Sequence, residues 1–162
     1  MKKELKKLIE KAKSQKKIIR RFFLKLKQRP PKNLDRQFQE LHEQAFEKID
    51  CLECANCCKT TSPIFYDKDI ERISAKLKLK PAEFAQRYLK TDREGDQVLK
   101  SSPCTFLMED NRCRIYEFRP KACREYPHTN RKNMHQILDI TQVNATICPA
   151  VASIVEKMQS RT

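Results

Sequence analysis

Leu5, Leu8, Ile9, Ala12, Ile19, Phe22, Phe23 and Leu26 recur at spacings of three, four and seven, with lysine or arginine at most positions between them. That period gathers the apolar side chains on one stripe of a helix and predicts a single amphipathic helix over residues 3–28. Arg29 is followed by Pro30 and Pro31, whose rings and missing N–H groups stop it. Leu34, Phe38, Leu41, Ala45 and Ile49 carry the same period from near Asn33. They predict a second helix that delivers the chain to Cys51.

From Cys51 to Thr61 no period survives, and the segment reads as a loop folded around something. Asp67 can cap a helix carrying Ile70, Ile73 and Leu77, and Pro81 suits the first turn of the next, whose inward face is Phe84, Tyr88 and Leu89. Residues 91–96 hold the one glycine and predict a turn. Val98 and Leu99, Thr105 to Met108 and Arg114 to Tyr116 read as short extended pieces, a small hairpin or irregular sheet bracketing Cys104 and Cys113. Pro120 opens a brief helix that includes Cys123, and Pro149 opens a last one with Val151, Ile154, Val155 and Met158 facing inward. The expected fold is mainly α with short irregular β pieces. Residues 1–30 form a basic amphipathic helical arm and 33–160 a small cysteine-rich, metal-centred domain.

Composition supports that reading. One glycine in 162 residues is far below the roughly 7% average, which favours helices over glycine-dependent hairpin turns. No run approaches the roughly 18 apolar residues that span a bilayer, and the first residues lack the apolar stretch of a secretory signal. The expected location is therefore the cytoplasm. Thiols stay reduced there, so eight cysteines are more readily explained by metal than by disulfides. The net charge of +14 is concentrated in the arm, where residues 1–32 hold fourteen Lys or Arg against Glu4 and Glu10.

Cys51, Cys54, Cys57 and Cys58 form C-x2-C-x2-C-C. Two-residue gaps let successive thiolates turn toward one point, as metal–sulfur bonds of about 2.3 Å require. Cys104, Cys113, Cys123 and Cys148 are dispersed, with Pro103 before the first, Pro120 three before the third and Pro149 after the last. Cys123 falls in the first turn of its expected helix, where the helix end, Arg119 and Arg124 would favour the thiolate. All eight are candidate metal ligands. Four-cysteine zinc sites usually pair two C-x2-C knuckles, whereas three cysteines at two-residue gaps with a remote fourth can hold a cubane cluster. Spacing thus favours an iron–sulfur cluster over zinc. The ferredoxin run itself ends in x3-C-P, and this chain gives Cys58 and Lys59 instead.

C-x2-C-x2-C-C, then Cys104-Thr-Phe-Leu, then Cys113-Arg-Ile-Tyr-Glu-Phe-Arg-Pro-Lys-Ala-Cys123-Arg-Glu-Tyr-Pro, resembles the YkgJ-type cysteine-cluster family of zinc- or iron-chelating proteins. The resemblance covers roughly residues 50–150 and implies metal binding by the eight cysteines. A related group, the flagellin lysine methylases, joins a similar cluster to methyl transfer from S-adenosylmethionine. It implies an enzyme or accessory factor of protein methylation as an alternative, although one glycine leaves no glycine-rich loop to cradle that cofactor.

His128 and His135 follow the Arg-Glu-Tyr-Pro element and are secondary candidate ligands beside their ordinary reading as loop residues. Arg119, Arg124, Tyr116 and Tyr126 could bond cluster sulfurs or an anion, or pair with Glu117 and Glu125. The arm has three readings. Its lysines suit nucleic-acid phosphate, its stripe suits a membrane surface or a protein partner, and more simply the stripe covers the protein's own core while the lysines face water.

Overall fold

The computed structural model describes residues 1–161. Seven helices come first: α1 (Lys3–Ser14), α2 (Lys16–Gln28), α3 (Leu34–Phe46), α4 (Cys51–Cys54), α5 (Asn56–Thr60), α6 (Asp67–Lys76) and α7 (Pro81–Tyr88). Strands β1 (Leu89–Thr91) and β2 (Gln97–Leu99) follow, then α8 (Lys121–Glu125), α9 (Leu138–Asn144) and α10 (Pro149–Ser160). Short 3-10 turns occupy Tyr116–Phe118 and Met134–Ile137. The protein is mainly helical with two short strands, as expected. The described chain divides into two compact units, one of residues 1–54 and 127–161, the other of residues 55–126.

In the first unit, α10 packs against α1 and α3, and α2 packs against α9. Phe23, Phe38, Leu41, Met134, Leu138 and Ile154 are fully enclosed between them. The stripe expected at the N-terminus is spent on this core: Leu5, Ile9, Ala12, Ile19, Phe23 and Leu26 are all buried. The single helix over 3–28 is corrected to two. Gln15 leaves helical geometry at φ −95°, ψ 15°. From Lys13 to Lys17 the chain has no apolar residue, so the core grips nothing in that turn and the stripe restarts beyond it.

Residues 127–137 carry no apolar period and are tied to α3 by polar contacts. The Asp35 carboxylate accepts the N–H groups of Asn133 at 2.7 Å and Met134 at 2.8 Å. His42 Nδ1 lies 2.8 Å from the hydroxyl of fully buried Thr129, and its ring packs on Phe46. Burial holds the His42 pKa below the ordinary histidine value.

The second unit is built on aromatic packing. Phe84 stacks on Phe106 and contacts Tyr88 and Phe65, with Ile73 and Ile115 closing the cluster. Antiparallel β1 and β2 pair Leu89 with Leu99 and Thr91 with Gln97, and the turn joining them places Gly95 at φ 90°, which a side chain would oppose. The irregular sheet expected around Cys104 and Cys113 reduces to one bridge between Leu107 and Cys113. Arg114–Tyr116 does not continue as a strand, because the Tyr116 N–H turns back to Cys113 O at 3.2 Å and starts a 3-10 turn.

The loop expected over 51–61 is also corrected. It forms α4 and α5, with Ala55 at φ 48° between them. Local side chains brace the two short helices: Asp50 accepts the Leu52 N–H, and the Thr60 and Thr61 hydroxyls donate to Asn56 O and Cys57 O. Asp67 does not cap α6. Tyr66 stands at the cap position, and the Asp69 carboxylate accepts its N–H at 3.2 Å.

Candidate metal centre

The structure distributes the cysteines differently from their spacing. Cys51, Cys54 and Cys148 belong to the first unit, and Cys57, Cys58, Cys104, Cys113 and Cys123 to the second.

In the first unit, Cys54 is buried and Cys51 exposed at opposite ends of α4. Cys51 lines an open cleft of about 600 Å³ with Phe46, Glu47, Asp50 and Glu53. Cys148 immediately precedes α10, its N–H bonded to Asn144 O at 2.8 Å. Burial pushes its thiol up to about 11, and the charges of Cys51 and Cys54 add to that shift. The Val151 and Ala150 N–H groups at the start of α10 work the other way and favour the thiolate.

In the second unit, Cys57 and Cys58 lie on α5 with sulfurs 4.0 Å apart. A hydrogen bond from Cys57 brings the Cys58 thiol down to about 7 against the opposing effect of burial, with smaller help from its own N–H and from Lys59. Cys104 and Cys113 pack on the aromatic core, and burial raises both thiols. The N–H groups of Phe106 and Leu107 favour the Cys104 thiolate, and that of Ile115 the Cys113 thiolate. Cys123 sits on α8, and here the expectation of an activated thiol is overturned. Burial, then repulsion from Cys58, Cys104 and Cys113, pushes it up to about 12, and Arg119 offsets only part of this. A five-residue helix has little dipole to set against desolvation.

These shifts describe thiols that are costly to ionise beside one another, a cost that a cation among them reverses. In that respect the residues suit a metal centre: an all-sulfur donor set, partly screened from water, with backbone donors on several sulfurs. The side chains are not drawn together to ligand spacing. Among the described residues no three Cys, His, Asp or Glu side chains converge into a closed coordination group.

The other candidates fall as follows. His128, at φ 64°, and exposed His135 both belong to the first unit. The Arg119 guanidinium lies 3.8 Å over the Tyr116 ring, donates to Tyr116 O and lowers the pKa of Cys113 and Cys123. Glu125 pairs with Lys121. Sequence reasoning missed buried Asp69, whose carboxylate also accepts from Arg72 at 2.6 Å and from the Lys121 N–H that begins α8. The only signal for it was an Asp-x-x-Arg spacing on a helix.

A small helical fold that carries eight thiols has the donor set of a metal-chelating protein. The chain belongs to the CxxCxxCC family, described as "Putative zinc- or iron-chelating domain", whose pattern it matches over residues 50–149. No solved structure matches it. No single helix among the described residues is long and apolar enough to cross a membrane.

Proposed function

We propose that the eight cysteines bind iron as iron–sulfur clusters, and that the protein works as a metal-centred binding or redox protein. One observation carries the reading: the donors are thiols throughout, and the sulfurs of Cys104, Cys113 and Cys148 each receive backbone N–H groups. Such donors stabilise bound thiolates and tune cluster potentials. The adjacent Cys57 and Cys58 fit poorly with the paired knuckles of structural zinc sites.

Anaerobic purification with metal and sulfide analysis tests it. Brown protein containing iron and acid-labile sulfide is the expected result. Colourless protein with stoichiometric zinc would replace the cluster by a zinc site. Metal-free protein with eight reduced thiols would sink both.

A further inference from the structure

α2 carries Lys16, Lys17, Arg20, Arg21, Lys25 and Lys27 and no carboxylate. Lys16 and Arg20, Lys17 and Arg21, and Arg21 and Lys25 are each four apart, so like charges lie one above another and oppose the helix. Lys16 and Lys17 also stand at the positive end of its dipole. The fold compensates little of this charge. Of the fourteen cations in residues 1–32, four pair with a carboxylate among the described residues, and on α2 only Lys27 does, with Asp139 of α9.

The core decides which way these charges face. Ile19, Phe23 and Leu26 are buried, so the opposite side of α2 presents Lys17, Arg21 and Lys25 to water. Two aliphatic side chains stand among these cations, with Ile18 50% and Leu24 47% exposed. The Lys27–Asp139 pair joins α2 to α9, with Leu24 one turn before Lys27 and Ile140 next after Asp139. Ile140 and Val143, three apart on α9, are exposed as well. Two helices that pack together thus show cations and four exposed aliphatic side chains on their outer surface.

We propose that this α2–α9 face docks on an anionic lipid surface, where the cations meet headgroup phosphates and Ile18, Leu24, Ile140 and Val143 enter the boundary between headgroups and acyl chains. Charge complementarity selects a polyanion, and the aliphatic side chains select lipid among polyanions. Nucleic-acid phosphates would take the cations and leave the aliphatic side chains in water. A single strand would also need stacking aromatics, whereas Phe23 is buried and Phe22 partly so. The docking is independent of which metal the thiols hold.

The test sediments the full chain, purified with its metal, with vesicles of phosphatidylcholine alone or of phosphatidylcholine and phosphatidylglycerol in equal parts. Binding is expected to the anionic vesicles only and should weaken as salt rises. The triple variant Lys17→Glu, Arg21→Glu and Lys25→Glu should bind about a hundredfold more weakly, since each cation near such a surface contributes several-fold. A control that reverses three exposed charges of the second unit, Lys80→Glu, Lys90→Glu and Arg93→Glu, should keep most of the binding. Leu24→Ser with Val143→Ser should weaken vesicle binding several-fold and leave binding to a DNA duplex unchanged. All these positions are exposed, and an unchanged helical circular dichroism spectrum checks that each variant folds. Equal binding to both vesicle types, no binding to either, or an equal loss in the α2 variant and the control overturns the proposal. Tighter binding to the DNA duplex than to anionic vesicles, with the two serine substitutions without effect, overturns it in favour of nucleic acid.

Discussion

Asp69 is the residue on which most of the second unit's polar order converges. Its carboxylate accepts from the Tyr66 N–H, the Lys121 N–H and Arg72, and it is 2% exposed. Removing it leaves two N–H groups without their acceptor and strips the Arg72 guanidinium of its counter-charge, with only the carbonyls of Lys68, Phe118 and Arg119 still accepting from it. Asp69→Ala should cost about 3–5 kcal/mol in urea unfolding, the usual range for breaking one side of a buried pair. A loss under 1 kcal/mol would mean that water replaces the carboxylate. His42 offers the matching test in pH. Its pKa is lowered in the folded state, so the unfolded chain binds the extra proton first and stability falls as pH drops through the ordinary histidine value. His42→Gln should flatten that part of the stability profile between about pH 7.5 and 5, and an unchanged slope would clear His42.

At the scale of elements, what the sequence made legible is what a period or a proline marks. The stripes of α2, α3 and α10 and the proline starts of α7 and α10 stand as expected. The break at Gln15 was hidden because an apolar stripe of the same spacing can be met by one helix or by two. α9 escaped notice because the segment leading into it carries no apolar period and is held instead by polar contacts of Thr129 and Asn133 with α3. The burial of α2 makes a prediction about the arm. Phe23 is 1% exposed, and Phe23→Ala should cost about 3–5 kcal/mol in thermal or urea unfolding, the range for an enclosed phenylalanine. An arm that projects into solvent would lose almost nothing.

For the whole molecule, the identity of the thiols as candidate ligands was readable from count and spacing, but their distribution over two compact units was not. Spacing reports neighbours along the chain, whereas Cys58 is joined to Cys104 by a backbone bond across 46 positions of sequence. Metal bound by these thiols binds the folded state, so removing it with a chelator under anaerobic, reducing conditions should lower the unfolding temperature. The shift corresponds to about 4 kcal/mol for free metal at a thousand times its dissociation constant. An unchanged melting curve would show that both hydrophobic cores stand without the metal.

The first unit is assembled from both ends of the chain, and the second is a continuous insert between them. During synthesis the insert's five thiols are all made before the first unit receives its last one. Cys148 follows Cys123 by 25 residues, a delay of about 1–5 s at ribosomal speed. The thiols of the two units are therefore completed in a fixed order, the insert before the first unit. A pause late in translation would leave Cys51 and Cys54 waiting for Cys148 while Cys57, Cys58, Cys104, Cys113 and Cys123 are already present.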